Sequence, residues 1–501
     1  MREDLTPEIR FSIAIQAFYA QINQKYGNIT ALAKEYKVCR QFVYNLLYTL
    51  KCIEPLLFAP QKKIASLSKK AIISTMLSFR MEGGSSLQAV STMMRGIGSE
   101  KYSSVGYISE TLSRIGGLLP NTLQMTETTR LVIASDEIFS KSQPILIDVE
   151  PGSSAIIKIE LSADRTGETW SEHYNEILDN GFDINGVVSD GGTGLLSGLK
   201  KSHIKASWQP DTYHAIAHHL GVFVSKFKSK AYNAIQNEYD KEALALRSKT
   251  DETFEKRYKL YLEDSISTIE SIELYENFTF LYRSIITELR VFKRNGELSN
   301  RVEAEGNIKA GLILLEGLKH EEISKEIKSV KKILPQLLDY FEQAKESVTM
   351  CKRFDINDKA LTTLCLLWQG EKSLIKAKNK YRRKNAREQK NRIIKEAKYL
   401  LGKEFGRMKD KVFGELDKII QASSIVETIN SILRPYLDRS KNQVTQEFLN
   451  LFAFYHNHRV YNDGKRKGKI PMEILTNQKQ DKSWIELLMD TVEEKEPSFF
   501  L

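Results

Sequence analysis

The sequence predicts a mixed α/β fold in which one small sheet is combined with many helices. Three observations predict it: short strand-like apolar segments lie between residues 129 and 210, helical periodicity dominates residues 212–420, and residues 10–60 also have helical spacing. With 501 residues, the chain is long enough for three or four domains of ~100–200 residues each. No stretch reaches the ~18 uninterrupted apolar residues of a membrane helix, so we expect a cytoplasmic protein.

Charge is distributed unevenly along the chain. The formal net charge is +10, but residues 121–220 carry a net negative charge and both flanking regions carry a net positive one. This pattern is typical of an enzyme whose carboxylates hold divalent cations while basic flanks contact nucleic acid. The four cysteines include no CxxC pair, so neither a zinc knuckle nor a disulfide framework is predicted.

The central region predicts a mixed sheet rather than a series of βα repeats. Three short apolar strands are followed by a helix that ends near Gly181, and then by further strands that would lie parallel to the first. The predicted strands are 131–136, 144–149, 155–161, 186–190 and 206–208, and the helix is 168–180.

Residues 29–47 have the spacing of a helix-turn-helix. Small Ala33 would let two helices cross closely, and Lys37-Val38 supplies the turn. An ordinary helical hairpin would give the same pattern, and a second, looser match spans residues 86–112. In a DNA-binding helix-turn-helix, the outward residues at the start of the second helix would meet base edges and phosphates. These candidates are Arg40, Gln41, Tyr44 and Asn45.

Two further segments are unusual in charge. Residues 372–403 contain 13 Lys or Arg and two Glu, which predicts either a solvated basic helix or a surface that follows the DNA backbone. Residues 476–501 are acidic and are expected to form a tail or a docking segment. The densest basic cluster contains Lys380, Arg382, Arg383 and Lys384.

Three carboxylates are candidates for a metal site. Asp136 ends the first predicted strand and Asp190 ends the fourth, so neighbouring strands would bring both carboxylates to one edge of the sheet. Such groups repel each other unless cations neutralise them, and a pair of Mg²⁺ or Mn²⁺ ions would do so. Glu427 is the third candidate, on a predicted helix where Asn430 and Arg434 share its face and could hold a scissile phosphate.

These carboxylates resemble the DDE triad of the ribonuclease H-like transposases and retroviral-type integrases. Residues 448–475 are similar to the Tyr-Asn-x-x-Arg and Pro-x-Glu elements that close the catalytic domain of many insertion-sequence transposases. Residues 211–214 resemble the Asp/Cys-x-x-His element of transposases that carry a helical insertion. The resemblance covers about residues 129–222 and 416–475.

One departure from compact integrase cores is the distance of 237 residues between Asp190 and Glu427. A helical insertion between the last strand and the glutamate helix accounts for it. The insertion also leaves Glu303 and Glu305 as rivals for the third carboxylate. His214 is either a group that positions a metal ligand or a core histidine.

The resemblance implies a DNA transposase of a mobile element that acts in the bacterial cytoplasm or nucleoid. It would bind terminal inverted repeats and target DNA, cleave and join strands with Mg²⁺ or Mn²⁺, and act as at least a dimer. An inactive DNA-binding regulator and a nuclease or resolvase on the same fold remain open. The predicted domains are a helix-turn-helix domain (1–62), a second helical domain (63–125), a ribonuclease H-like core of five strands and flanking helices (126–222 and 416–475), an all-α insertion (223–415) and a tail (476–501).

Overall fold

The computed structural model describes residues 4–23, 26–58, 68–376, 379–441 and 443–500. These form two compact units: one comprises the residues up to Leu118 together with those from Lys482, and the other is Leu119–Asp481. The predicted boundary between residues 62 and 63 lies outside the described residues, and the finer domain boundaries stay predictions. Within the described part of the chain, no helix is both long and apolar enough to cross a membrane.

The first unit begins with a three-helix bundle. Its core contains Ala33 of the second helix and Val43 of the third, so the small side chain lies at the helix crossing, as the spacing predicts. Thr6 caps the first helix by accepting a hydrogen bond from Ile9 N. The helices are α1 (Pro7–Ile22), α2 (Asn28–Glu35), α3 (Arg40–Phe58), α4 (Lys69–Leu77), α5 (Leu87–Gly96) and α6 (Val105–Gly117).

The second unit contains a five-stranded sheet in the order β3-β2-β1-β4-β5. The strands are β1 (Thr129–Ser140), β2 (Gln143–Val149), β3 (Ile156–Leu161), β4 (Phe182–Ser189) and β5 (Ser207–Pro210). β1 pairs antiparallel with β2, and β2 with β3, whereas β4 lies parallel to both β1 and β5. The predicted mixed α/β fold is therefore confirmed.

Two helices cover one face of this sheet. They are α7 (Gly167–Asp179) and α8 (Thr193–Lys201), and their apolar side chains pack on the strand residues of that face. Trp170 and Tyr174 of α7 are completely buried against Ile133 and Ile157. The turn after α7 uses Gly181 at φ +91°, a conformation that L side chains rarely adopt, as the predicted helix end requires.

The predicted helical insertion follows β5. After a π-helical turn at Tyr213–His218 come α9 (His219–Leu246), α10 (Asp251–Glu288), α11 (Arg301–Glu316), α12 (Glu321–Leu337), α13 (Tyr340–Cys351), α14 (Asp358–Lys376), α15 (Lys380–Leu401) and α16 (Phe405–Leu416). The insertion has its own apolar core, in which Phe223, Phe278, Leu334 and Leu364 are buried.

The chain then returns to the sheet through α17 (Ser424–Arg439), α18 (Gln446–His458) and α19 (Pro471–Thr476). α18 covers the edge strand β3. The Asn457 amide accepts from Ile156 N and donates to Ile156 O, both at 2.8 Å. Gln446 likewise accepts from Leu161 N at 2.7 Å. Two amide side chains thus satisfy backbone groups that an edge strand would leave unpaired.

The acidic segment 476–501, expected to form a tail or a docking segment, contains a folded helix, α20 (Trp484–Lys495), of the first unit. Its apolar side chains Leu488, Met489 and Val492 are buried, and Trp484 Nε1 donates to Glu82 Oε1 at 2.7 Å. The expectation of a tail was wrong because the acidic residues lie on one face only, and the other face is apolar.

Candidate active site

The register of the two central parallel strands aligns Asp136 with Asp190. Ala134 of β1 pairs with Val188 of β4, and each aspartate lies two residues further along its strand direction. Asp190 directly follows β4, as predicted. Asp136 does not end β1, because the strand continues to Ser140 in antiparallel pairing with β2. β4, the parallel partner of β1, ends at Ser189, so the Asp136 carboxylate still lies at an open edge of the sheet.

Both aspartates line one cleft of about 100 Å³. The cleft lies between the strand ends and the start of α8, and its lining comprises Asp136, Glu137, Arg165, Asp190, Gly192, Thr193, Gly194 and Leu195. Gly191 turns the chain beside it at φ +87°. Asp190 is exposed, and its Oδ1 accepts from Gly192 N at 3.1 Å.

Asp136 is held by two hydrogen bonds. Its Oδ1 accepts from Glu137 N at 2.8 Å, and its Oδ2 accepts from Asn430 Nδ2 at 2.9 Å. Burial raises the pKa of Asp136 to about 6; the bond from Glu137 N opposes that rise, and the negative charges of Asp190 and Glu427 add to it. Three carboxylates therefore repel one another at this edge of the sheet.

Glu427 lies in the first turn of α17, close enough to raise the pKa of Asp136 through its charge. Its Oε1 lies 3.2 Å from His214 Nε2, and its side chain is 58% exposed. His214 thus contacts Glu427 and is not a core histidine.

The start of α17 is held by residues that precede the insertion. Asp211 Oδ2 accepts from Ser423 N at 2.7 Å and from Ser423 Oγ at 2.9 Å. Thr212 donates from its backbone N and its hydroxyl to Gln421 O, at 2.9 and 2.7 Å. Because Ser423 is the N-cap residue of α17, these bonds position the helix that carries Glu427.

The rival glutamates are engaged elsewhere. Glu303 Oε2 forms an ion pair with Lys293 at 2.7 Å, and Glu305 Oε1 forms one with Lys309 at 2.6 Å, both at α11 in the insertion. None of the three glutamates lines the cleft, but only Glu427 is close enough to Asp136 for its charge to raise the pKa of that aspartate.

The three carboxylates suit a hard divalent cation, because all the atoms that would bind it are oxygens. In addition, burial destabilises the negative charge on Asp136, which a cation would neutralise. Among the residues that the structure describes, no group of three or more His, Cys, Asp or Glu side chains is arranged to hold a metal ion. The aspartates share one cleft, whereas Glu427 contacts His214.

Arg165 is a cleft residue that the sequence pattern did not reveal. Its guanidinium forms an ion pair with Glu137 and lies 5.3 Å from the centre of the Phe139 ring. In the sequence, only the predicted turn at residues 164–167 marked this region, and such a turn by itself indicates no more than a helix cap. Thr166 caps α7 there, its side chain accepting from Thr169 N, and Asp164 Oδ1 accepts from Thr166 N at 2.9 Å. Arg165 adds a positive charge opposite the aspartates.

The candidate DNA-binding side chains differ in exposure. Asn430 was expected to face a phosphate, but it is only 4% exposed and contacts Asp136, so that expectation is corrected. The remaining candidates, Arg40, Gln41, Tyr44, Asn45, Lys380, Arg382, Arg383, Lys384 and Arg434, are all exposed. Lys378 of the basic stretch lies outside the described residues.

Comparison with known proteins gives a family match within the second unit. Residues 122–284 match the family model "Transposase, Mutator family", which covers the sheet, both aspartates and the α9–α10 hairpin but not Glu427. No curated protein matches the chain. A structural match is the Drosophila P element transposase strand transfer complex, at 11% identity and a TM-score of 0.25, over 91% of this chain and 100% of the other. That score is too low to support an argument. The family match confirms the resemblance to DDE-type transposases: residues 122–284 are similar to the Mutator family of transposases.

Proposed function

We propose that the protein is a metal-dependent DNA transposase that cleaves DNA at transposon ends and joins the freed 3′ ends to target DNA. The observation that carries the proposal is the register of β1 and β4, which brings Asp136 and Asp190 into one cleft. The transposase family match over the same strands supports it.

In this proposal, Asp136, Asp190 and Glu427 hold the divalent cations. Bound Mg²⁺ or Mn²⁺, in a pair, would activate a water or a 3′-hydroxyl and stabilise the leaving oxygen. Asn430 holds Asp136 at the cleft, and His214 orients Glu427. Arg165, exposed on the cleft wall, binds the phosphate beside the scissile bond.

The exposed start of α3 would bind the terminal inverted repeats. Arg40, Gln41, Tyr44 and Asn45 occupy its first two turns, where a recognition helix contacts DNA. The basic face of α15 would bind flanking DNA through its phosphates. These two surfaces would hold the DNA while the cleft acts on it.

The test uses a plasmid that carries the coding region with its natural flanking DNA, incubated with the full chain and Mg²⁺. Asp136→Asn, Asp190→Asn and Glu427→Gln are each expected to abolish nicking and joining while DNA binding in a gel shift persists. Glu305→Gln is the matched control and should retain activity. Cleavage by either Asp variant would refute the metal assignment, and loss of activity with Glu305→Gln alone would move the third ligand into the insertion.

A further inference from the structure

The outer part of the α9–α10 hairpin has small or polar residues between its helices. The helices run antiparallel, because Lys241 forms an ion pair with Asp264 at 2.8 Å and Arg257 Nη1 donates to Leu244 O at 3.0 Å. The buried residues along this part of the helix contact are Ala231, Ala245, Thr268 and Ser271. Such side chains bury little apolar area, so the hairpin gains little stability from its own interior.

The large apolar side chains of this part of the hairpin point outward instead. Eight of them expose between 43% and 73% of their surface. On each helix they recur mostly every three or four residues, which is the spacing of one helical face. They are Tyr232, Ile235, Tyr239 and Leu246 on α9, and Tyr258, Leu262, Ile266 and Ile269 on α10.

Both rows lie on the same side of the hairpin. At about 100° per residue, the α9 row is rotated roughly 110° and the α10 row roughly 145° from the line of helix contact, in the same sense when each helix is viewed from its own N-terminus. Because the helices are antiparallel, rotations in the same sense place both rows on one side of the hairpin. We call this surface the hairpin face.

The hairpin face is large enough for a stable interface. Its eight half-exposed aromatic and aliphatic side chains present an area on the order of 800 Å², which is what one partner contributes to a standard interface. Apolar patches of this size are uncommon on a free protein surface. The hairpin is fixed to the rest of the insertion at its base, where the Phe227 ring packs on the ring of His320 and Lys226 forms an ion pair with Glu322 at 2.6 Å.

The charges in the α9 row favour a second copy of this chain as the partner that binds the hairpin face. Exposed Lys228 precedes Ile235 by seven residues, and exposed Glu242 follows it by seven, so both lie in the same row. Two α9 helices that cross antiparallel near Ile235 would bring Lys228 of each copy toward Glu242 of the other. A parallel crossing would bring like charges together. The face is therefore complementary to itself under a two-fold axis.

We infer that the protein forms a two-fold symmetric homodimer in which the hairpin faces of two copies pack antiparallel, forming a four-helix interface. The resemblance implies at least a dimer but no interface, and this inference adds the hairpin face as that interface. It goes beyond the proposed function and does not depend on the carboxylate assignment, because the interface contains none of the cleft residues. Under the proposed function, it would bring two active sites, one for each transposon end, into a single assembly.

The experiment measures the mass of the full chain in solution by light scattering and sedimentation equilibrium, without DNA. The unaltered chain is expected to be a dimer at micromolar concentration. Ile235→Glu and Ile266→Glu are each expected to weaken the dimer about tenfold or more, since a charge would be buried at its centre. Leu244→Glu is the matched control: it changes an equally exposed leucine on another face of α9 and should leave the dimer intact.

Charge exchange tests the two-fold arrangement itself. Lys228→Glu and Glu242→Lys should each weaken the dimer, and the double variant should restore it, while circular dichroism shows unchanged helix content. A chain that is monomeric at these concentrations, its hairpin face left for another protein, would overturn the inference. So would a dimer that is insensitive to Ile235→Glu and Ile266→Glu. Loss of dimerisation with retained DNA nicking would separate this inference from the proposed function.

Discussion

The Asn430 amide donates a 2.9 Å hydrogen bond to Asp136 Oδ2 across 294 residues of sequence. This contact joins the helix that follows the insertion to the central strand that precedes it. Asn430 is buried, and it shares α17 with Glu427, three residues away. One helix turn therefore carries both Glu427 and the amide that orients the Asp136 carboxylate.

Under the proposed function, replacing Asn430 should alter the dependence of DNA cleavage on Mg²⁺. In Asn430→Ala, Asp136 loses a donor that orients its carboxylate, so we expect cleavage to fall about 10–100-fold and the half-saturating Mg²⁺ concentration to rise. A Mg²⁺ titration of nicking measures both effects. Asn430→Asp should lower cleavage further, because it places another negative charge beside the carboxylates. An unchanged Mg²⁺ midpoint in Asn430→Ala would mean that the residue only supports packing.

Arg165 should matter for activity and little for stability. Its ion pair with Glu137 is largely exposed, and such pairs contribute about 0–1 kcal/mol. We expect Arg165→Ala to lower the cleavage rate about tenfold or more with an almost unchanged melting temperature, and Arg165→Lys to recover part of the rate. Glu137→Gln is the control that removes the same ion pair but keeps the guanidinium. Equal losses in both variants would assign the effect to the ion pair.

The basic start of α15 should determine part of the salt dependence of DNA binding. Replacing Lys380, Arg382, Arg383 and Lys384 together by alanine removes up to four positive charges that could neutralise phosphates. The slope of log K against log salt should then decrease by about 0.9 for each phosphate that is no longer neutralised. Binding measured by fluorescence anisotropy at several salt concentrations tests this. Lys309→Ala, which removes an exposed lysine paired with Glu305, should leave the slope unchanged.

A buried polar network between the sheet and α7 should make stability depend on pH. His173 lies 2.6 Å from both Asp148 Oδ2 and Glu160 Oε2, and Lys158 Nζ lies 3.1 Å from Glu160. Burial opposes ionisation of Glu160, but the hydrogen bond and charge of His173, together with Lys158, outweigh it and lower its pKa to about 2. The ionised Glu160 is therefore stabilised by the fold.

Because the folded pKa of Glu160 lies below its ordinary value of 4.5, its contribution is complete above pH 4.5 and is lost as the pH falls toward 2. Glu160→Gln should lower the free energy of unfolding by about 2–3 kcal/mol at pH 7, and the difference from the unaltered chain should shrink below pH 4.5. Urea unfolding at several pH values measures it. Glu168→Gln, on exposed α7 surface, is the control. A difference that stays constant down to pH 3 would contradict this explanation.

Much of the core follows from local pattern. The strand alternation around Ile133 and Ile157 predicts buried strands, and the turn glycine at 181 predicts the helix end. The position of Asp136 within β1 could not be predicted, because it depends on pairing with β2 beyond the point where β4 ends. Local pattern does not specify how far a partner strand extends.

The contacts that the sequence did not predict are those between segments that lie far apart in the chain. Nothing near Asn430 in the sequence indicates that it faces Asp136 rather than solvent, since an amphipathic helix has polar residues at its boundary as well as on its outer face. The His173 network is similar: Asp148, Glu160 and His173 lie on three different elements, and only their packing makes them one group.

The hydrogen bonds that join Asp211 and Thr212 to Gln421 and Ser423 have a consequence for how this chain can change during evolution. They bring the two ends of the insertion together at one point beside the sheet, so the intervening helices leave the core and return to it at the same place. Helices could be gained, lost or exchanged within the insertion without changing the geometry of the strands. Changes far out in the insertion can therefore leave these few bonds and the cleft unaltered.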